Sequence, residues 1–67
     1  MNELARQFIG KECTIEMVNS NFMGYASGVI IEVMDGGIML ERKSGEHELI
    51  NLDLVVRIRE NVKKKKK

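Results

Sequence analysis

Gly28-Val29-Ile30-Ile31-Glu32-Val33-Met34-Asp35-Gly36-Gly37-Ile38-Met39-Leu40-Glu41 reads as two β-strands joined by a tight turn. The Asp-Gly-Gly at its centre supplies the positive φ angles that a short hairpin needs. On its C-terminal side, Ile38 and Leu40 alternate with Met39 and Glu41, the period of a half-buried strand. On its N-terminal side the run is continuously apolar, so both faces of that strand must be partly covered. Gly28 offers a place for a sharp bend.

The same period extends in both directions. Cys13, Ile15 and Met17 alternate with Glu12, Thr14 and Glu16 in a first strand with one wet face. Asn19-Ser20-Asn21-Phe22-Met23-Gly24 interrupts the pattern and reads as a loop, so the second strand is expected from about Tyr25 to Met34. Lys43-Ser44-Gly45-Glu46 is the next turn, and a fourth strand follows from about Glu46 to Asn51. Leu52-Asp53-Leu54 has room for one helical turn. The last strand, Val55 to Arg59, is expected to turn Val56 and Ile58 inward and Arg57 and Arg59 outward.

Before the strands, Asn2 to Ile9 has the features of a short helix. Asn2 can cap it, Glu3 suits the positive end of its dipole, and Gly10 is placed to stop it. Leu4, Phe8 and Ile9 fall on one face, which must dock on the sheet because so short a helix does not persist alone. The expected fold is mainly β: this helix and a five-stranded, strongly bent antiparallel barrel in one domain over residues 1–60, followed by a disordered basic tail at 61–67.

The order and spacing of these elements are similar to the Sm-like, SH3-like barrel superfamily. The Phe8-Ile9-Gly10-Lys11 entry, the long bent second strand, the hairpin at Asp35 and the turn before the last strand carry the resemblance over residues 4–59. The superfamily's first motif falls on Gly28, Ile30, Val33 and Asp35-Gly36-Gly37-Ile38-Met39, and its second on Ile50-Asn51-Leu52-Asp53. Met39 stands where the motif asparagine contacts a base, and Asn51-Leu52 replaces Arg-Gly, so the superfamily's base pocket does not carry over. The chain ending Ile-Asn-Leu-Asp-Leu-Val-Val-Arg-Ile-Arg resembles small uncharacterised Sm-like proteins of Gram-positive bacteria. The resemblance implies a fold and leaves the function open.

Composition narrows the function classes. The chain has 67 residues and a net charge of +1, and domains of this size bury only roughly 60% of their unfolded surface. Residues 1–62 hold six Lys or Arg against ten Asp or Glu, while Lys63, Lys64, Lys65, Lys66 and Lys67 close the chain. An acidic body thus carries a basic tail, which either keeps the barrel soluble or serves as an arm for RNA or DNA phosphates. Phe22 and Tyr25 are candidates for stacking on bases, with Arg57 and Arg59 as further phosphate contacts. Phe22 has a competing role in closing one end of a thin core.

No catalytic centre is legible, and the chain is read as non-enzymatic. His47, the one histidine, lies between Glu46 and Glu48, whose side chains face away from it on a strand. Metal binding needs converging ligands, so no metal or other cofactor is expected. Cys13 shares the apolar face of Ile15 and Met17 and reads as a buried, inert thiol. No small-molecule substrate suggests itself. The start lacks a signal peptide and no run is long enough to span a bilayer, so a cytoplasmic protein is expected.

Val18, Ile30, Met34, Met39 and Val55 exceed what a clean two-faced barrel can bury. Together with open strand edges they make a homo-oligomer, or a protein–protein adaptor, the alternative to nucleic-acid binding.

Overall fold

The computed structural model describes residues 2–62, with Asn2 described by its backbone alone. The elements run α1 (Asn2–Arg6), β1 (Glu12–Asn19), β2 (Phe22–Met34), β3 (Gly37–Glu41), β4 (His47–Asn51), a 3₁₀ turn (Leu52–Leu54) and β5 (Val55–Glu60). All five strands join one antiparallel sheet in the order β4-β3-β2-β1-β5.

β2 organises the sheet. Its first part, Phe22 to Val29, pairs with β1, and its second part, Val29 to Met34, pairs with β3. Val29 therefore stands in both ladders. Ile30 is also bonded on both sides: it pairs with Leu40, while its carbonyl accepts from Gly10 N–H at 2.7 Å and its N–H donates to the Lys11 carbonyl. The β1 and β3 flanks converge at Gly28, where a Cβ would stand 2.5 Å from the Glu41 carbonyl oxygen. Only a residue without a side chain permits that approach.

Two bulges then set which residues enter the core. Ile31 is the extra residue between the pairs Ile30–Leu40 and Glu32–Met39, so Ile30 and Val33, three apart, both turn inward. This resolves the continuously apolar run without burying both faces, because Ile31 and Glu32 are left outside. On the other side, Val56 is the extra residue between Arg57, opposite Glu16, and Val55, opposite Met17. Val55 is thereby buried and Val56 left 55% exposed. The expected inward placement of Val56 is thus corrected, while Arg57 and Arg59 face outward as expected.

The core comprises Ala5, Cys13, Ile15, Ala26, Ile30, Val33, Ile38, Leu40, Ile50, Leu52 and Val55, with Phe8, Met17 and Ile58 packed at its edge. Burying an aliphatic side chain of this size contributes about 1.5–3 kcal/mol. The helix anchors on Ala5 and Phe8, leaving Leu4 and Ile9 exposed. Its α-helical part ends at Arg6, short of the expected Ile9. Beyond it the N–H groups of Gln7, Phe8 and Ile9 reach only the third residue back, and this three-residue period stacks Ala5 over Phe8 and turns Leu4 and Ile9 away. Gly10, at φ +88°, stops the helix as its position predicts. The capping expected of the Asn2 side chain lies outside the described side chains.

Two hairpins are tighter than the sequence suggests. β1 and β2 meet through Ser20-Asn21 alone, Asn19 pairing with Phe22, so Phe22, Met23 and Gly24 belong to β2 and not to a loop. Ser20 takes the left-handed conformation at φ 60°. In the second hairpin Met34 pairs with Gly37, and of Asp35-Gly36-Gly37 only Gly36 has a positive φ.

The sheet is open and does not close as a barrel: among the described residues no ladder joins β4 to β5. Closure is replaced by chain continuity. The Leu52–Leu54 turn, capped by the Asn51 side chain accepting from Asp53 N–H at 2.9 Å, carries the chain from one sheet edge to the other. A connection of that length spans at most about 14 Å, which holds the two edges near each other at that end. The turn is seated by Leu52, whose N–H donates to the Gly36 carbonyl at 2.9 Å.

Gly28→Ala is expected to lower stability by about 1–3 kcal/mol through overpacking, read as a lower urea midpoint with unchanged slope. Wild-type stability in that variant would contradict the close approach of β3 to β2.

Candidate functional site

Residues at even positions of β1 and odd positions of the adjoining part of β2 form the outer face of the sheet. Along it, Glu12 stands opposite Val29, Thr14 opposite Ser27, Glu16 opposite Tyr25, and Val18 opposite Met23. On the other flank β5 sets Arg59 against Thr14 and Arg57 against Glu16. The sheet thus brings Tyr25, Arg57 and Arg59 onto one face, arranged around Glu16.

Glu16 is the residue that sequence reasoning missed. It reads as one more wet-face glutamate, yet its side chain is only 10% exposed. Its Oε2 is 3.3 Å from Arg57 Nε and 3.4 Å from Arg59 Nη2, so one carboxylate oxygen serves both guanidiniums. The two arginines themselves stay more than half exposed. The only signal in the chain is the Arg-x-Arg spacing, which places both arginines on one strand face without revealing what lies opposite.

Beside Arg59, Thr14 donates from Oγ1 to Asn61 Oδ1 at 2.9 Å and, its proton thus engaged, accepts from Ser27 Oγ at 3.1 Å. The Asn61 N–H donates to the Glu12 carbonyl at 2.8 Å, which holds the chain to β1 just past the end of β5. The Lys63–Lys67 tail lies outside the described residues.

Phe22 does not join this face. It lies on the opposite side of β2 from Tyr25, since the two are an odd number of residues apart on one strand. Its ring lies across Gly24, where a Cβ would meet Cε2 at 2.9 Å. Nor does it close the core: it is 68% exposed, because the two-residue hairpin carries β2 past the end of the packed side chains. Phe22 and Tyr25, both candidates for stacking on bases, therefore stand on opposite faces of β2.

The excess apolar residues are also redistributed. Ile30 and Val55 are buried, and Val18, Met34 and Met39 are half-buried. Exposure falls instead on other side chains, among them Leu49, which is 62% exposed on the edge strand β4. Leu49 is opposite Met39 and lies against Gly37.

His47 is exposed, with Nε2 3.9 Å from Glu41 Oε2, its partner across the β3–β4 ladder. Glu48 instead accepts from Arg42 Nε at 2.9 Å. Among the described residues no group of three or more His, Cys, Asp or Glu converges on a point. Cys13 is buried and its Sγ lies 3.5 Å from the Lys11 carbonyl. Burial, with a smaller contribution from the Glu60 charge, pushes its thiol pKa up from 9.0.

No family model, curated protein or solved structure matches this chain. No helix among the described residues is long and apolar enough to cross a membrane.

The raised Cys13 pKa gives a signed expectation. The folded state prefers the neutral thiol, so its contribution to stability is fully present below pH 9.0 and is lost as pH rises from there through the folded value. A thiol-specific reagent at neutral pH is expected to label Cys13 only after urea unfolding. Rapid labelling of the native protein would contradict its burial.

Proposed function

We propose that this chain is a non-enzymatic binding module of Sm-like, SH3-like type whose ligand is nucleic acid, RNA foremost. The order of elements supports the structural half of this reading: a short helix, a long shared second strand, a tight hairpin and a one-turn helix before the last strand. The ligand half rests on one observation. Tyr25, Arg57 and Arg59 share an exposed sheet face, on the strands nearest the point where the chain runs on into Lys63–Lys67.

The chemistry divides between tail and face. Five lysines offer sequence-independent attraction to phosphate, while the acidic body opposes it over most of the surface. Affinity is therefore carried by the tail and position by the face, as phosphate contacts supply register without reading sequence. The superfamily's own base pocket is not invoked, because Met39, on β3 between Glu32 and Leu49, offers no amide to a base where the motif has an asparagine.

Protein–protein assembly is the second reading, and a specific observation favours it. β4 is an edge strand, its ladder partners lie on one side only, and Leu49 on it is exposed. Association through that edge predicts a light-scattering mass above one chain that grows with concentration. A mass of one chain throughout the series would end the homo-oligomer form of this second reading.

Titration of RNA and DNA against the full chain and a 1–62 truncation tests the first. Five tail lysines on phosphates predict a contribution of about −3.5 to the log–log salt slope on single strands, and that contribution is lost on truncation. Undetectable binding by the full chain at low salt would overturn the reading.

A further inference from the structure

Glu16 occupies an expensive position. A carboxylate withdrawn from water costs energy that an apolar residue there would not, and Val18, two residues along the same face, shows that the face tolerates one. The ion pairs do not balance either, since a single carboxylate oxygen is shared by two guanidiniums. What this arrangement achieves is proximity. Two like charges on neighbouring sites of one strand repel, and a carboxylate between them offsets that repulsion and draws them together. Each guanidinium has five N–H donors, and Glu16 occupies only one nitrogen of each. The remaining donors stay on exposed side chains, with a net charge of +1 for the three groups.

Tyr25 completes the geometry. It stands directly across from Glu16 on β2, as Arg57 does on β5, so the two positions are separated by two strand spacings, about 10 Å. A ring that is 61% exposed on one side and a pair of guanidiniums on the other match the two ends of a nucleotide. Guanidiniums bind phosphate oxygens through paired N–H donors, and an aromatic ring accepts a base on its face. A base is free to stack there only when it is out of a duplex.

We infer that Glu16 is a positioning residue that holds Arg57 and Arg59 as a fork for one phosphate, and that Tyr25 stacks the base of the same nucleotide. The face thus takes unpaired nucleotides of single-stranded nucleic acid. This rests on the nucleic-acid reading above and adds to it a site, a strandedness and a role for the buried carboxylate.

Tyr25 is the only tyrosine in a chain without tryptophan, so its fluorescence reports on the site alone. A short mixed-sequence oligonucleotide, as single-stranded RNA, as single-stranded DNA and as a duplex, is titrated against the full chain. Saturable quenching is expected with either single strand and none with the duplex; Tyr25→Leu, which lacks the fluorophore, is followed by the anisotropy of a dye-labelled oligonucleotide and is expected to weaken single-strand binding about 5- to 150-fold.

Glu16→Gln separates positioning from simple charge. Removing a negative charge favours phosphate binding by simple electrostatics, whereas loss of the fork weakens it, and several-fold weakening is expected. Where that variant does not fold, the double variant Arg57→Lys/Arg59→Lys decides. It keeps the net charge while removing the planar fork, and weaker binding is again expected. Tighter binding by folded Glu16→Gln, or unchanged binding by the lysine variant, would overturn the fork. Binding without quenching, equal for duplex and single strand, would overturn the inference while leaving the tail-borne reading intact. No binding by the full chain ends both.

Discussion

Val29 and Ile30 are bound on both sides at once, and the remainder of the structure follows from that constraint. One strand of thirteen residues cannot lie flat between β1 and β3 when its first part pairs with one and its second part with the other. It must bend where the ladders overlap. Gly28 allows the bend by letting the Glu41 carbonyl come where a Cβ would be, and the bulge at Ile31 restores the inward phase beyond it. The resulting curl gathers Ile15, Ile30, Ile38 and Leu40 into full burial within a chain of only 67 residues.

The second bulge links this packing to the outer face. By absorbing Val56 it puts Val55 and Ile58 on the core side while keeping Arg57 opposite Glu16. A regular strand would place Val55 on the same side as the two arginines, leaving an apolar residue beside them and a gap in the core. Core and charged face are thus specified together by one extra residue. The cost sits at Glu16, which is withdrawn from water while a single carboxylate oxygen is shared by two guanidiniums.

Much of the fold was legible in the chain, because alternation along β1 and β3 and the glycines at turns are local signals. The Leu52–Leu54 turn and the Gly10 stop lie where the sequence places them. What was not legible depends on pairing. No local pattern announces a bulge, so Val56 and Ile58 read as one face. The Asn19–Gly24 stretch reads as a loop because its polar and small residues do not reveal that two of them, Ser20 and Asn21, suffice to turn the chain. Barrel closure failed for a similar reason: composition cannot tell whether β4 reaches β5, and among the described residues it does not. Of the candidate site, the sequence offers Tyr25, Arg57 and Arg59 only as separate residues. Their common neighbour Glu16 was hidden because cross-strand register, not sequence spacing, brings it between them, and the same register separates Phe22 from Tyr25.

Ligand contact is expected on the β5-β1-β2 outer face and not on the apolar edge at β4. An NMR titration of the isotope-labelled full chain with an unlabelled single-stranded oligonucleotide tests it most directly. Shift changes in the sheet are expected to centre on Thr14, Glu16, Tyr25, Arg57 and Arg59. Shift changes centred on Ile31, Met39 and Leu49, with the Glu16 neighbourhood unmoved, would contradict it.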